Sequence, residues 1–227
     1  MSHDRLLLVL FSLFCLSISG FGAVVLPGDE VDALKNIGEK LGKMDWNLSA
    51  DPCIGLYGWI TGEDNNVTCD CSSSNYTSCH IVSIVLTRQS LAGILPSELT
   101  QLPYLQQIDL SRNYLSGTIP SEWGSMANLV NISLLGNRLT GPIPRELGNI
   151  STLESLQLSS NNFTGELPST FANLTALKDM RISDLNGTEA TFPQISNTNI
   201  KTLILRSCNL IGELPAYLGD MTNLKTL

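Results

Sequence analysis

The sequence predicts a solenoid of stacked coils with short parallel β-strands, and three observations lead to this fold class. Leucine or isoleucine positions recur every 23 or 24 residues from Ile81 to the end of the chain. In the second to fourth periods an asparagine follows the apolar pair, and a Gly-x-Ile/Leu-Pro segment comes next. Self-similarity at this period is the signature of leucine-rich repeats, whose coils bury a core only when they are stacked.

Residues 1–22 are predicted to be a secretory signal peptide and not part of the fold. Arg5 precedes an apolar run from Leu6 to Leu16, which gives way to small residues as far as Ala23. Serines and glycines interrupt this segment, whereas a membrane span needs an unbroken run of about 20 apolar residues. No second run of that length follows, so we expect an exported chain without an anchor of its own.

Residues 23–80 are predicted to form an N-terminal cap, because an uncovered solenoid end would expose apolar strands. Asp29 is expected to cap a helix. We expect a crosslinked loop to follow this helix. The apolar stripe of the predicted helix consists of Val31, Leu34, Ile37 and Leu41.

Four cysteines crowd into the cap and indicate two disulfides in an oxidising compartment. Cys69 and Cys71 are two apart on an extended strand and are poorly placed to pair with each other. Two pairings remain. We favour Cys53–Cys69 with Cys71–Cys79, and the other is Cys53–Cys71 with Cys69–Cys79. A zinc site is disfavoured because Cys69-Asp70-Cys71 has neither a Cys-x₂-Cys partner nor a second nearby histidine beyond His80.

Eight Asn-x-Ser/Thr sequons agree with export through the secretory pathway. One sequon means little, but eight behind a signal peptide predict a glycoprotein. The candidate glycosylation sites are Asn47, Asn66, Asn75, Asn131, Asn149, Asn162, Asn173 and Asn186.

Composition and motifs argue against nucleic-acid binding and against catalysis. The chain has 13 Lys and Arg against 21 Asp and Glu, a net charge of −8, and no basic face for a nucleic acid or an anionic membrane. After export one histidine, His80, remains, and no nucleophile elbow, phosphate loop or metal-binding run is present. We therefore predict no enzyme activity, no cofactor and no metal site.

Residues 81–227 are predicted to hold six repeats and the start of a seventh, which is cut off at Leu227. In the second repeat Ile108 and Leu110 point into the coil, since residues two apart lie on one side of a strand. The repeats begin at Ile81, Leu105, Leu129, Leu153, Leu177, Ile200 and Leu224.

Asn113, Asn137 and Asn161 are expected to form an internal ladder of hydrogen bonds to backbone groups of neighbouring coils. The equivalent positions in the first, fifth and sixth repeats are Gln89, Leu185 and Cys208. We expect Cys208 to be a small, buried core residue with a free thiol.

The fifth repeat departs from the pattern. It is one residue shorter and keeps only Phe192-Pro193 of the Gly-x-Ile-Pro signature. Asn186-Gly187 is expected to supply the turn instead, and this coil should differ locally in curvature.

The outward strand positions, four per coil, predict a polar and adaptable binding surface on the concave face. In the second coil they are Gln107, Asp109, Ser111 and Arg112. The residues chosen as candidate ligand contacts are Asp109, Arg112, Gln157, Arg181, Asp184, Ile204 and Arg206.

The cap and the repeats together resemble a known family. The 24-residue period, the Asp-Pro-Cys53 and Val-Thr-Cys69 cap and the signal peptide are similar to the start of plant leucine-rich-repeat receptor-like serine/threonine kinase ectodomains. The segments 180–187 and 203–212 resemble the subgroup in which a malectin-like domain follows.

This resemblance implies an extracellular module, apoplastic or at the cell surface, that lacks the transmembrane and kinase parts. It also implies a peptide, carbohydrate or protein ligand, with a co-receptor ectodomain as a further candidate partner. The alternatives are a free secreted inhibitor of a hydrolase and a soluble co-receptor.

Overall fold

The computed structural model describes residues 25–47, 49–54, 60–72, 78–195, 197 and 199–227. The predicted signal peptide and the Asn75 sequon lie outside these residues. None of the helices in the described ranges is long and apolar enough to cross a membrane.

The described residues form the predicted solenoid of short strands, and their α-helix, α1, spans Gly28–Leu41. The 3₁₀ helices are Pro52–Ile54, Ser97–Gln101, Ser121–Ser125, Arg145–Asn149, Ser169–Asn173 and Ala216–Asp220. The strands are β1 (Ile60–Gly62), β2 (Asn65–Asp70), β3 (His80–Leu86), β4 (Gln107–Asp109), β5 (Ser116–Gly117), β6 (Asn131–Ser133), β7 (Arg138–Pro142), β8 (Ser155–Gln157), β9 (Asn162–Thr164), β10 (Asp179–Ser183), β11 (Ala190–Thr191), β12 (Thr202–Arg206) and β13 (Leu210–Ile211).

The main sheet has the strand order β1-β2-β3-β4-β6-β8-β10-β12 and is parallel from β3 onward. Each strand residue lies beside its equivalent in the next coil, as Ile84, Ile108 and Ile132 show. These three side chains are almost completely buried, so the core is a continuous apolar column shared by neighbouring coils.

A second set of strands lies on another side of each coil. β5, β7 and β9 form one small sheet, and β11 pairs with β13 in another. Between the two, an isolated bridge pairs Thr164 of β9 with Asn186, four residues before β11. The short repeat therefore interrupts this second sheet, as its departure from the pattern leads one to expect.

The predicted role of Asn186-Gly187 as the turn is wrong. Asn186 forms a β-bridge with Thr164, and neither Asn186 nor Gly187 has the positive φ of Gly141 and Gly165 in the preceding coils. Gly187 is needed for space instead, because a Cβ there would lie 2.0 Å from the carbonyl oxygen of Gly165.

The helix of the cap is present, and its buried face includes Leu34, Ile37 and Leu41. Asp29 does not cap it, contrary to the prediction. The helix begins at Gly28, two residues earlier than a cap at Asp29 would place it, and Asp29 lies in the first turn, where its carboxylate accepts the Glu30 N–H.

The rest of the cap is more regular than the predicted crosslinked loop. β2 pairs antiparallel with β1 and with β3, so the main sheet continues into the cap. The predicted disulfides Cys53–Cys69 and Cys71–Cys79 are confirmed. One bridge fixes β2 to the Pro52–Ile54 turn, and the other ties the end of β2 to the start of β3.

The asparagine ladder is confirmed by Asn113, Asn137 and Asn161. Each side-chain N–H₂ donates to the carbonyl three residues earlier and to another carbonyl 27 residues earlier in the preceding coil. Each Oδ1 accepts the backbone N–H that lies 22 residues earlier. The ladder satisfies buried backbone groups that no strand pairing reaches.

Other residue types end the ladder. At the cap, the side-chain oxygen of Gln89 accepts a hydrogen bond from the buried Lys43 ammonium at 3.0 Å. At the other end, Cys208 is buried and free, and its sulfur lies 3.6 Å from the carbonyl oxygen of Ile182. The thiol thus stands in for the asparagine amide as a weak donor.

Cys208 is expected to be chemically inert in the folded protein. Burial raises the pKa of its thiol, and the thiolate is the reactive form. In protein expressed without residues 1–22, we expect iodoacetamide at pH 8 to alkylate Cys208 on the order of 100-fold more slowly than after unfolding in guanidinium. Mass spectrometry over time measures both rates, with glutathione as the reference thiol. Equal rates would show that the site is open.

Candidate functional site

The main sheet presents its outward side chains as an ordered surface, which we call the strand face. It consists of the first and third residues of β4, β6, β8, β10 and β12. Parallel pairing sets each member beside its equivalent one coil away. The strand face comprises Gln107, Asp109, Asn131, Ser133, Ser155, Gln157, Asp179, Arg181, Thr202 and Ile204.

A shallow depression of about 280 Å³ lies on β4, β6 and β8. Amides and hydroxyls provide most of its polar groups, which include both hydrogen-bond donors and acceptors. Its lining side chains on the strand face are Gln107, Asp109, Asn131, Ser133, Ser155 and Gln157.

Asp109 is the acidic group of this depression, and its carboxylate is held in place. Its Oδ1 accepts hydrogen bonds from the Ser111 N–H at 3.0 Å and from the Ser111 hydroxyl at 2.6 Å. Ser111, predicted to face outward, is 8% exposed, because the chain already turns away from the sheet at this residue. Within the described part of the chain, the second oxygen, Oδ2, accepts no hydrogen bond.

The later coils make the strand face charged. Arg181 Nε donates to Asp179 Oδ1 at 2.8 Å, and this hydrogen bond raises the pKa of Arg181. Beside the strand face, Arg206 Nη2 lies 3.8 Å from Asp184 Oδ2, and both side chains are largely exposed. This end of the strand face offers both signs of charge, in partly solvated pairs that a ligand can compete for.

Arg112 and Asp184 lie beyond the strands, in the turn that follows them. Both adopt the left-handed conformation, with φ 59° and 62°. Their N–H groups donate to Leu135 and Arg206 in the next coil, which fixes the turn.

The predicted contacts therefore fall into separate groups. Asp109 and Gln157 line the depression, whereas Arg181, Asp184 and Arg206 form charged pairs further along, and Ile204 is a half-buried member of β12. Gln107, Asn131 and the serines of the depression were not among the candidates, since a single polar surface residue is normally just solvated. Their common register was the signal that could have found them.

His80 has a structural role. Its Nδ1 lies 2.5 Å from a carboxylate oxygen of Glu30, and its ring centroid lies 4.1 Å from that of Tyr104. Among the described residues, no three His, Cys, Asp or Glu side chains are grouped closely enough to hold a metal ion.

Comparison with known proteins identifies the repeat type. The Leucine Rich Repeat family profile matches residues 104–126, 152–174 and 199–221. The probable LRR receptor-like serine/threonine-protein kinase At1g07650 of Arabidopsis thaliana is 46% identical over 87 residues, which is 35% of this chain and 9% of that protein. The related At3g14840 kinase of the same plant is 42% identical over 110 residues, or 45% of this chain and 10% of that protein. The chain thus spans about a tenth of these relatives, and the matched part is leucine-rich repeat.

Solved structures show the same architecture. The BIR3–SERK2 complex from Arabidopsis thaliana contains a chain with 31% identity and a TM-score of 0.60, covering 73% of this chain and 86% of that one. HAESA, crystallised with the peptide hormone IDA and the co-receptor SERK1, gives a TM-score of 0.73 at 25% identity, covering 88% of this chain and 33% of that one. The SOBIR1 ectodomain has a TM-score of 0.68 at 24% identity, over 82% and 95%.

The chain is therefore a leucine-rich-repeat solenoid of the kind found in plant receptor kinase ectodomains. The narrower resemblance to the malectin-like subgroup stays a prediction.

Proposed function

We propose that this chain is an extracellular ligand-binding module of a plant leucine-rich-repeat receptor-like kinase, and that the strand face holds the ligand. Two cap disulfides support an oxidising compartment. The proposal includes a signal peptide at 1–22, a cap at 23–80 and repeats at 81–227. It places the module in the apoplast or at the cell surface.

A peptide is the ligand class that we propose. HAESA was solved with the peptide hormone IDA, and RGFR1 with RGF2. In this chain, the observation that carries the proposal is the depression on β4, β6 and β8 with charged pairs in the next two coils. Its amides and hydroxyls match the alternating N–H and C=O groups of an extended peptide, and the charged pairs can select among side chains.

Asn131 bears directly on this proposal. Its side chain lines the depression, and Asn131-Ile132-Ser133 is a sequon. A glycan there would cover part of the strand face. We therefore expect ligand binding at the depression only when Asn131 is unglycosylated; with full occupancy, ligands would use the later coils. Glycopeptide mass spectrometry of plant-expressed protein measures the occupancy.

The proposed peptide site is tested with a displayed library of random 12-residue peptides, selected against secreted protein in which Asn131 is unglycosylated. Gln157→Ala removes an amide from the depression and is expected to weaken the selected peptides at least about tenfold, equivalent to about 1.4 kcal/mol. Gln101→Ala is the matched control, because Gln101 is an exposed amide on a 3₁₀ helix. Equal affinities for both variants would contradict a strand-face site.

A further inference from the structure

One flank of the solenoid carries a column of side chains, one from each coil, at the position directly after the ladder residue. Each member is exposed. Successive members are 24 residues apart, or 23 after the short fifth repeat. The column consists of Ser90, Tyr114, Arg138, Asn162, Asn186 and Asn209.

Tyr114 and Arg138 are stacked on each other in this column. The guanidinium carbon of Arg138 lies 4.7 Å from the centroid of the Tyr114 ring, a cation–π contact. The tyrosine remains 49% exposed. Within the described part of the chain, no carboxylate forms an ion pair with Arg138, so its N–H donors are open to a partner.

Ile94 extends the same surface toward the cap. It is 49% exposed and forms a β-bridge with Ser116, which in turn pairs with Arg138. A groove of about 350 Å³ beside it is lined in part by Lys40, Ile94, Thr118 and Glu122. We call Ile94, Tyr114, Ser116 and Arg138 the flank patch.

In the next two coils the members of this column are candidate glycosylation sites. Asn162 and Asn186 both begin sequons, with Thr164 and Thr188 two residues later. Tyr114 and Arg138 are likewise followed two residues later by a hydroxyl residue, Ser116 and Thr140. Tyr114 and Arg138 therefore occupy the place of the sequon asparagine. The column has no candidate glycosylation site at these two residues, whereas Asn162 and Asn186 in the following coils are candidate sites.

We propose that the flank patch is a docking surface for a folded extracellular protein that presents a carboxylate beside an apolar side chain. The carboxylate pairs with Arg138, and the apolar group packs on Tyr114 and Ile94. Tyrosine and arginine are enriched among residues that dominate binding energy at interfaces. Charge complementarity selects the carboxylate, since this guanidinium lacks one in the described chain.

A folded partner fits better than a flexible peptide. The flank patch projects from three coils without enclosing walls, and a peptide would have to lose its conformational freedom for contacts on one side only. The inference rests on the proposed function for its extracellular setting, but the flank patch is a surface separate from the strand face.

The test adds glycans to the column by single substitutions. Tyr114→Asn and Arg138→Asn each complete a sequon within the flank patch. Ile211→Thr completes one at Asn209, in the same column but three coils further on, and is the matched control. The probe is an array of purified plant receptor-kinase ectodomains that includes SERK1 and SERK2. Glycan addition, secretion and monomeric elution are checked for each variant.

We expect an ectodomain that binds the unmodified protein to lose at least tenfold in affinity to both flank-patch variants and to bind Ile211→Thr normally. Arg138→Glu, which adds no glycan, should cause a similar loss by reversing the charge. It also serves as the second variant where an added glycan impairs folding.

No binding by any ectodomain of the array, or equal binding by all variants, would overturn the proposal. So would an equal loss with Ile211→Thr. Peptide binding is measured on the same variants, and we expect it to be unaffected. Retained sensitivity of peptide binding to Gln157→Ala would then show that the strand-face proposal stands even where the flank patch fails.

Discussion

Gly93→Ala is expected to destabilise the protein by about 3 kcal/mol or more, since overpacking costs about 1–3 kcal/mol even where side chains can yield. The Gly93 and Ile94 N–H groups donate to the carbonyls of Leu41 and Lys40, the last residues of α1. A Cβ on Gly93 would lie 1.9 Å from the Lys40 oxygen. Because this obstacle is backbone, the cap has to move away from the first coil and lose both hydrogen bonds.

Gly219→Ala is the control for this substitution, because no heavy atom lies within 4 Å of a Cβ built there. Gly124 has the same place in the second coil as Gly219 has in the sixth, but there a Cβ would lie 2.4 Å from the backbone oxygen of Glu146. Denaturant midpoints should therefore fall for Gly93→Ala and Gly124→Ala and stay unchanged for Gly219→Ala. Equal midpoints for all three would show that the coils are packed less tightly than described.

Glu30→Ala is expected to cost about 3 kcal/mol, since a buried hydrogen-bond donor left without its acceptor costs about 1–3 kcal/mol and Glu30 accepts from two groups. Glu30 is 1% exposed on α1. One carboxylate oxygen lies 2.5 Å from His80 Nδ1, and the other accepts the buried Ile81 N–H at 2.9 Å. Its removal leaves that N–H and the imidazole unmatched at the junction of cap and solenoid.

Thermal melts of Glu30→Ala, Glu30→Gln and Glu39→Ala measure this effect. Gln retains an acceptor for Ile81 and should fall between wild type and Ala. Glu39 is exposed on the same helix, so its loss should change the midpoint little. A melt of Glu30→Ala that matches Glu39→Ala would mean that the buried carboxylate contributes nothing to holding the cap.

The repeats could be predicted because the copies within one chain can be compared with each other. Register alone placed Ile108 in the core and Asn113 in the ladder, and the structure confirms both. The cap has no such internal copy. The extended segment that holds Cys69 and Cys71 was expected, but its antiparallel pairing with β1 and β3 was not, since a crosslinked segment also suits a loop.

Buried charges could not be predicted from local pattern either. Nothing in the helix sequence distinguishes Glu30 from the other acidic residues of α1, because its partner, the Ile81 N–H, lies 51 residues further on. Lys43 is similar: it is buried against Gln89, 46 residues away. Such pairs become visible only when the cap is docked on the first coil.

The candidate site was predictable as a surface but not as a group of contacts. The strand period gave the outward positions, including Asp109 and Gln157. It could not show that the turn buries Ser111 or that Asn131 lines a depression, because these depend on where the chain leaves the sheet. The Tyr114–Arg138 stack likewise appears only once adjacent coils are in register.

Photo-crosslinking tests the central claim, that the strand face holds a ligand, most directly. A selected peptide carrying a benzophenone is irradiated on secreted protein in which Asn131 is unglycosylated, and the attachment sites are located by mass spectrometry. We predict attachment within β4, β6, β8 and β10, competed by unlabelled peptide and lost in Gln157→Ala. Attachment confined to the 3₁₀ helices, the cap or the flank patch would contradict the claim.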